Sequence, residues 1–133
     1  MTLVVDASTV VAALVDSGDD GTWADGLLAD SQLAAPHLMP VEVANILRRA
    51  VLVDDISADS AALAHADLLD LRVELFAYEP FASRVWELRH NLTAYDAWYV
   101  AVAEALNVPL ATLDRRLASA SETRCAFTTP TIS

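Results

Sequence analysis

Five short apolar runs, separated by segments of helical character, constrain the fold of this chain more than any other feature of its sequence. Their β-branched, aromatic and small residues are typical of strands that are buried on both faces. The runs are LVV at 3–5, LAA at 33–35, VELFAY at 73–78, PLATL at 109–113 and CAFTT at 125–129. Because strands that alternate with helices form parallel sheets, the sequence predicts a three-layer α/β/α fold with about five parallel strands.

Helix signals fill the intervals between these runs. Proline suits the first turn of a helix, and serine, threonine and aspartate favour the position before it. Helices are therefore predicted over about 8–14, 23–28, 40–53, 57–71, 80–90 and 93–106, with a short one in DRRLASA after residue 113. There is no internal repeat or linker, so we expect residues 1–133 to form a single domain.

The composition indicates which partners and which cellular compartment suit the chain. The net charge is -11, from 19 acidic residues against eight arginines and no lysine, which favours cationic partners over nucleic acid at long range. One cysteine excludes an internal disulfide and argues against a structural zinc site. No apolar run approaches the ~18 residues of a membrane span, and MTLVVD lacks a basic leader, so we expect a cytoplasmic protein without membrane contact.

Two acids follow predicted strands directly. Asp6 closes the first run and Asp114 follows PLATL. In open α/β sheets the functional crevice lies beyond the carboxyl ends of the strands, so both side chains are expected there. An aspartate after a strand also commonly caps the next helix, and either residue taken alone is equally well explained in that way.

Two further acids fall near predicted helix starts. Glu42 lies in the first turn of its helix, where a carboxylate is favoured, and it shares a helix face with Asn45 and Arg49. Asp96 follows Thr93 at the spacing of a capping box. The rest of its helix, AWYVAVAEAL, is aromatic and apolar, and a carboxylate held against such surfaces is costly unless it is paired or bound to a metal.

Four carboxylates gathered at one end of a sheet would repel one another and raise one another's pKa values. A divalent cation removes that repulsion, and ligands that are all oxygen suit Mg²⁺ or Mn²⁺. Such a cation supports the attack of water on a phosphodiester. The sequence therefore predicts metal-dependent phosphodiester hydrolysis at the carboxyl edge of the sheet.

Four segments carry a resemblance to a known family. VVDAST at 4–9, VEVANILRR at 41–49, YDAWYVAVAEAL at 95–106 and ATLDRRL at 111–117 resemble the acidic motifs of PIN-domain ribonucleases, in particular VapC-type toxins of bacterial type II toxin-antitoxin systems. The resemblance spans residues 3–129 in the right order. It implies a Mg²⁺-dependent endoribonuclease that cleaves RNA, is neutralised by a cognate antitoxin, and forms a homodimer or a toxin-antitoxin hetero-oligomer.

The resemblance also implies roles for individual residues. The catalytic acids would be Asp6, Glu42, Asp96 and Asp114. Asp6, Asp96 and Asp114 would hold the metal, whereas Glu42 would reach it through water. The supporting polar residues would be Ser8, Asn45 and Thr112. Some relatives carry another acid shortly after the fourth motif, where this chain has Arg115 and Arg116, so the number of metals stays open.

Two other functions remain open from the residues alone. Asp6 at the end of a strand could serve an aspartate-based phosphatase or phosphotransfer domain, although DAST lacks a second acid two residues on and the chain has no lysine. Alternatively, the acids could form a non-catalytic binding module that receives arginines of a partner. The arginines Arg48, Arg49, Arg115 and Arg116 are candidates for contacts to RNA phosphates.

Overall fold

A computed structural model describes residues 1–131, in which five strands form one parallel sheet. The strands are β1 (Thr2–Val5), β2 (Gln32–Pro36), β3 (Val73–Phe76), β4 (Leu110–Ala111) and β5 (Phe127–Thr128). Their order across the sheet is β3-β2-β1-β4-β5, and every neighbouring pair is parallel. The predicted α/β fold is confirmed.

Every connection between consecutive strands contains at least one helix. They are α1 (Ala7–Val15), α2 (Asp19–Asp30), α3 (Met39–Leu52), α4 (Ala58–Asp70), α5 (Ala82–Glu87), α6 (Ala94–Leu106) and α7 (Arg115–Ala118). Hydroxyl groups cap two of them: Ser57 accepts the N–H of Ser60, and Thr93 accepts the N–H of Asp96. No helix within residues 1–131 is long and apolar enough to cross a membrane.

The strand order divides the helices between the two faces of the sheet. The chain moves from β1 through β2 to β3 in one direction and then crosses back to β4 on the other side of β1. Because parallel crossovers are right-handed, the two directions of travel place their helices on opposite faces. Accordingly, α1 to α4 pack against one another, whereas α5 packs against α6, which lies on β1, β2 and β4.

The core lies between the central strands and α6. Leu3, Val4 and Val5 of β1 and Leu110 of β4 are completely buried, as are several residues of α6. Full burial of one such aliphatic side chain stabilises a fold by about 1.5–3 kcal/mol. These contacts fix the position of the carboxyl ends of β1 and β4, where two of the predicted site residues lie.

Besides differences in the lengths of α2, β4 and β5, two regions differ in kind from the sequence prediction. The strand β3 is not covered on both faces, since Glu74 and Leu75 are exposed at the edge of the sheet. The helix predicted over 80–90 is divided into a 3₁₀ turn at Glu79–Phe81 and the short α5. Its end tightens because the N–H of Leu88 is shared between the carbonyls of Arg84 and Val85, a geometry that is common at helix ends.

Strands β2 and β3 are added on one side of β1, and β4 and β5 are added on its other side. The gap between β1 and β4 is therefore the topological switch point of the sheet. Val5 pairs with Ala111, so the next residues of the two strands, Asp6 and Thr112, stand side by side. Crevices at such switch points are where α/β proteins bind ligands. The pairing of β1 with β4 therefore indicates a binding site at the carboxyl end of this gap.

Candidate active site

All four predicted acids lie at helix N-termini on the carboxyl edge of the sheet. Asp6 caps α1 and Asp114 caps α7, while Glu42 and Asp96 lie in the first turns of α3 and α6. The structure brings them close enough for their charges to act on one another. Besides burial, the charges of Asp114 and Asp6 raise the pKa of Asp96, and those of Asp96 and Asp6 raise the pKa of Glu42. Capping and clustering are thus not alternatives, since Asp6 and Asp114 do both.

Asp6 is the most buried of the four acids, with 7% of its surface exposed. One carboxylate oxygen accepts the N–H of Thr9 at 3.0 Å and the hydroxyl of Ser8 at 2.6 Å, and the other accepts the hydroxyl of Thr112. Burial raises the pKa of Asp6, and these hydrogen bonds counteract part of that rise. The carboxylate is held in one orientation beside β4.

Two hydroxyl groups tie the loop after β4 to Asp6. Ser8 Oγ donates to Asp6 and accepts the N–H of Leu113 at 3.1 Å. Thr112 Oγ1 likewise donates to Asp6 and accepts the N–H of Asp114 at 2.9 Å. Since a hydroxyl has one proton, both protons point at Asp6, an arrangement that suits an ionised carboxylate. These contacts also fix where Asp114 begins α7.

Glu42 enters the site from the opposite side of β1, because its helix α3 follows strand β2. Its Oε1 accepts a 2.5 Å hydrogen bond from the hydroxyl of Tyr99, which lies on α6 one turn after Asp96. Burial raises the pKa of Glu42; the Tyr99 hydrogen bond lowers it, and repulsion by Asp96 and Asp6 raises it further. Glu42 is therefore a half-buried carboxylate in an acidic neighbourhood with one fixed oxygen.

Asp96 faces both another acid and an arginine. Burial raises its pKa, repulsion by Asp114 and Asp6 adds to the rise, and the charge of Arg116 opposes it. Asp96 and Arg116 line a small cavity of about 160 Å³ between the starts of α6 and α7, together with Thr93. Of the four acids, Asp96 is the one that lines this cavity.

The remaining predicted residues differ in how closely they are held. Asp114 uses only Oδ1 for its cap, which accepts the N–H groups of Arg116 and Leu117 at 3.0 and 3.2 Å. Asn45 lies one turn beyond Glu42 and is exposed, and none of the hydrogen bonds to the four carboxylates within residues 1–131 comes from it.

The donor set is one that hard cations prefer. Every functional group in the cluster offers oxygen, and neither sulfur nor imidazole is present, which suits Mg²⁺ or Mn²⁺ rather than zinc. Within residues 1–131, no three Asp, Glu, His or Cys side chains converge closely enough to enclose an ion by themselves. Mg²⁺ commonly uses only one or two carboxylates and keeps several waters, so the cluster fits that ion.

Sequence reasoning missed two residues that build the site. Tyr99 belongs to the apolar stripe of its helix by pattern, yet its position three residues after Asp96 places it on the same helix face. Thr9 supplies an N–H to Asp6 and a hydroxyl to the carbonyl of Ala111 at 3.0 Å. Its signal is the spacing of three residues between a capping aspartate and a threonine.

The comparison with protein families gives one clear match. The model of the PIN domain matches residues 3–122, which is most of the chain and includes all four acids. The chain belongs to the PIN-domain family. The five-stranded parallel sheet with acids at its carboxyl edge is consistent with that assignment.

Similar proteins refine the assignment within the family. The chain is 47% identical to Ribonuclease VapC1 of Mycobacterium tuberculosis over 123 residues, which cover 92% of each chain. It is thus a PIN-domain ribonuclease of the VapC type, as the four motifs predicted. The alternative of an aspartate-based phosphatase is wrong.

Two solved structures share the fold at low sequence identity. PAE2754 from Pyrobaculum aerophilum has a TM-score of 0.69 at 23% identity, covering 96% of this chain and 83% of that one. VapBC2 from Rickettsia felis, solved with a DNA fragment from its promoter, has a TM-score of 0.64 at 13% identity, covering 97% and 98%. At these low sequence identities, the structural similarity supports a shared fold alone.

Proposed function

We propose that this protein is a Mg²⁺-dependent endoribonuclease, the toxin component of a type II toxin-antitoxin system, acting in the cytoplasm as a single PIN-like domain of 133 residues. The observation that carries the proposal is the convergence of four acids, at the starts of α1, α3, α6 and α7, on the switch point of the sheet. The pKa values of Asp6, Glu42 and Asp96 are all raised, in each case first by burial. Folds accept such unfavourable clusters chiefly at functional sites.

The four carboxylates have different parts in the proposed reaction. Asp6, Asp96 and Asp114 would hold the cation, with water completing its shell, and Glu42 would reach it through water. A divalent cation held there supplies positive charge against the phosphate and makes an adjacent water more acidic. Asp6 keeps its orientation through Ser8 and Thr112, so the ligand geometry is set before the substrate arrives.

Arg116 is the arginine that best suits contact with an RNA phosphate. Its charge acts on Asp96 and it lines the same cavity. Arg115 instead donates to the carbonyl of Pro130 at 2.9 Å. Arg49 lies two turns beyond Glu42 on α3, about 10 Å along the helix axis. The guanidinium of Arg116 beside Asp96 would give the RNA a positive contact at the site, although the net charge of the chain is -11.

This role of Arg116 predicts a change in RNA binding. Arg116→Ala should weaken binding of a fluorescently labelled RNA and reduce the slope of log affinity against log salt by about 0.7, the value of one phosphate contact on a single strand. Fluorescence anisotropy in EDTA measures this without cleavage. Arg115→Ala is the matched control and should leave the slope unchanged. An unchanged slope for Arg116→Ala would remove that residue from the RNA surface.

The antitoxin is proposed from the net charge and from the relatives. An excess of acid favours a basic partner, and an arginine from that partner could enter the carboxylate cluster and displace the cation. The VapBC2 structure is a complex of that class of system from Rickettsia felis. Association with an antitoxin or with a second copy of this chain would form a hetero-oligomer or homodimer.

Cleavage with controlled metal tests the proposal. Purified protein is incubated with a mixture of structured RNAs in Mg²⁺, in Mn²⁺ and in EDTA, and the fragments are mapped by primer extension. We expect discrete internal cuts with either ion and none in EDTA. Asp96→Asn, prepared in the same way, controls for contaminating nucleases. Absence of cuts with both ions, or cuts that persist in EDTA, would contradict the proposal.

A further inference from the structure

One buried side chain in the site has no part in the roles described so far. Tyr99 lies in the middle of α6 with 2% of its surface exposed, and its hydroxyl contacts Glu42, which is 57 positions away in the sequence. Tyr99 thus connects the middle of α6 with the start of α3 through one hydrogen bond.

The hydrogen bond has one direction. A carboxylate has no proton to donate when ionised, so the Tyr99 hydroxyl donates to Glu42 Oε1. Bonds from a neutral donor to a charged acceptor are about twice as strong as neutral ones. Burial of the Tyr99 ring and this contact both raise the pKa of the phenol, which therefore remains a proton donor at physiological pH.

The contact decides where the Glu42 carboxylate points. Glu42 is half-buried in the first turn of α3, and a glutamate side chain that is not held there loses rotamer entropy when it is ordered. No other side chain within residues 1–131 donates a hydrogen bond to it. With Oε1 fixed by Tyr99, Oε2 is left for the acidic cluster, whose members Asp96 and Asp6 already act on this carboxylate.

We propose that Tyr99 is a positioning residue of the nuclease site, whose hydroxyl holds the Glu42 carboxylate in the orientation that hydrolysis requires. The inference rests on the proposed function, because it assigns Glu42 to that reaction. Tyr99 does not touch the substrate or the cation. It acts through Glu42, and its hydroxyl has no effect once that carboxylate is removed.

The first test removes only the hydroxyl. Tyr99→Phe keeps the buried ring, and we expect kcat for RNA cleavage to fall about tenfold, as is common when a group that orients a ligand is lost. KM for the RNA should change by less than about twofold, because ground-state binding is untouched. Tyr95→Phe is the matched control on the same helix, where the ring is 61% exposed, and it should retain full kcat.

A double-mutant cycle separates positioning from a general structural effect. In a Glu42→Ala background, Tyr99→Phe should cause no further loss of kcat, since coupled residues are not additive. If Tyr99→Phe retains kcat within about twofold of wild type, or if it causes the same loss with and without the Glu42 carboxylate, the proposal is overturned. Should the variant not fold, Glu42→Asp tests the same contact from the other side. It keeps the charge but is too short to be held in the same place, and unchanged kcat for it would also overturn the proposal.

Direct binding of Mn²⁺ separates failure of this inference from failure of the proposed function. The free Mn²⁺ signal in electron paramagnetic resonance should report weaker binding for Tyr99→Phe than for wild type, and equal binding for Tyr99→Phe and wild type in the Glu42→Ala background. A wild-type protein that does not cleave RNA would refute the nuclease, whereas the Mn²⁺ cycle would still decide the role of Tyr99. Equal Mn²⁺ affinity of wild type and Tyr99→Phe would count against it.

Discussion

Helix α6 carries an acid near each end, and the two are in opposite situations. Glu104, near the C-terminal end, receives Arg84 on both oxygens at 2.7 and 3.2 Å and the N–H of Arg124 at 2.7 Å. Burial raises its pKa, but these donors outweigh burial and the pKa of Glu104 is lowered. Asp96, at the N-terminal end, faces Asp114 and Asp6, and its pKa is raised.

The difference shows what distinguishes a structural acid from a functional one. The ion pair of Glu104 and Arg84 fastens α6 to α5, and through the carbonyl of Glu122 and the N–H of Arg124 it also fastens the segment before β5. For Asp96, the charge of Arg116 and a hydrogen bond with Thr93 do not outweigh burial and repulsion. An acid that is only partly compensated next to other acids favours a partner from outside the chain, and a cation is the simplest one.

The largest expected effect is on cleavage. Asp96→Asn should reduce the rate of RNA cleavage by about 10³-fold, because it removes a charge that the proposed cation requires. Glu104→Gln, the matched carboxylate-to-amide change on the same helix, should leave the rate within about twofold at a temperature where it is folded. Initial rates at saturating Mg²⁺ measure both. Equal losses for the two variants would mean that the two acids do not differ in function.

The effects on stability should be reversed. Glu104→Gln leaves the N–H of Arg124 without a charged acceptor and Arg84 with only the exposed Glu87, at 3.9 Å, so we expect the free energy of unfolding to fall by about 1–3 kcal/mol. Asp96→Asn in EDTA should leave that free energy unchanged or raise it, since it relieves repulsion by Asp114 and Asp6. Urea denaturation followed by circular dichroism measures both values. Clear destabilisation by Asp96→Asn would refute the view that this acid is under electrostatic strain.

Asp6 is less suitable than Asp96 for comparing the effects of an Asp→Asn change on cleavage and on stability. Its carboxylate accepts hydrogen bonds from Ser8, Thr9 and Thr112, and an amide at that position would turn a donor toward one of the hydroxyls. Asp6→Asn is therefore expected to lose both cleavage and some stability. Asp96→Asn is the better probe of repulsion.

The smallest expected effect is the pH dependence of these stability differences. The folded-state pKa of Asp96 is raised, so its contribution to stability is complete below its ordinary value of 3.8 and is lost as the pH rises through the raised value. The pKa of Glu104 is lowered, so its contribution is present above 4.5 and is lost as the pH falls through the lowered value.

Urea denaturation of the metal-free protein at a series of pH values measures this. The advantage of Asp96→Asn over wild type should appear as the pH rises above 3.8, and the deficit of Glu104→Gln should shrink as it falls below 4.5. Parallel pH curves for the two variants would contradict the opposite pKa directions on which the comparison depends.

Much of the fold follows from local sequence. The run LVV ends at Asp6 and the run PLATL leads to Asp114, so the order of residues alone predicts two acids at the carboxyl edge of the sheet. Thr93 caps its helix as predicted, and Ser57 follows the general preference for serine before a helix, because a cap depends on residues only three positions away. The apolar pattern of β3 predicts a strand but not its exposure, since pattern alone does not reveal which strand lies at an edge.

The contrast between Asp96 and Glu104 could not be predicted, because it depends on partners that are distant in the sequence. Arg84 and Arg124 are each 20 positions from Glu104. Tyr99 reaches Glu42 across 57 positions. Asp96 and Glu104 both appear in the sequence as single acids in an apolar helix, and only the tertiary arrangement shows which of them is paired.

Anomalous diffraction from crystals soaked in Mn²⁺ tests the central claim most directly. We expect a Mn²⁺ peak at the carboxyl edge of β1 and β4, within coordination distance of Asp6 and Asp96 and adjacent to Asp114, and no peak at Glu104. The same soak of Asp96→Asn crystals should show a weaker peak or none. A wild-type crystal with no peak among these acids, or with its only peak elsewhere on the surface, would contradict a metal-dependent nuclease site at this place.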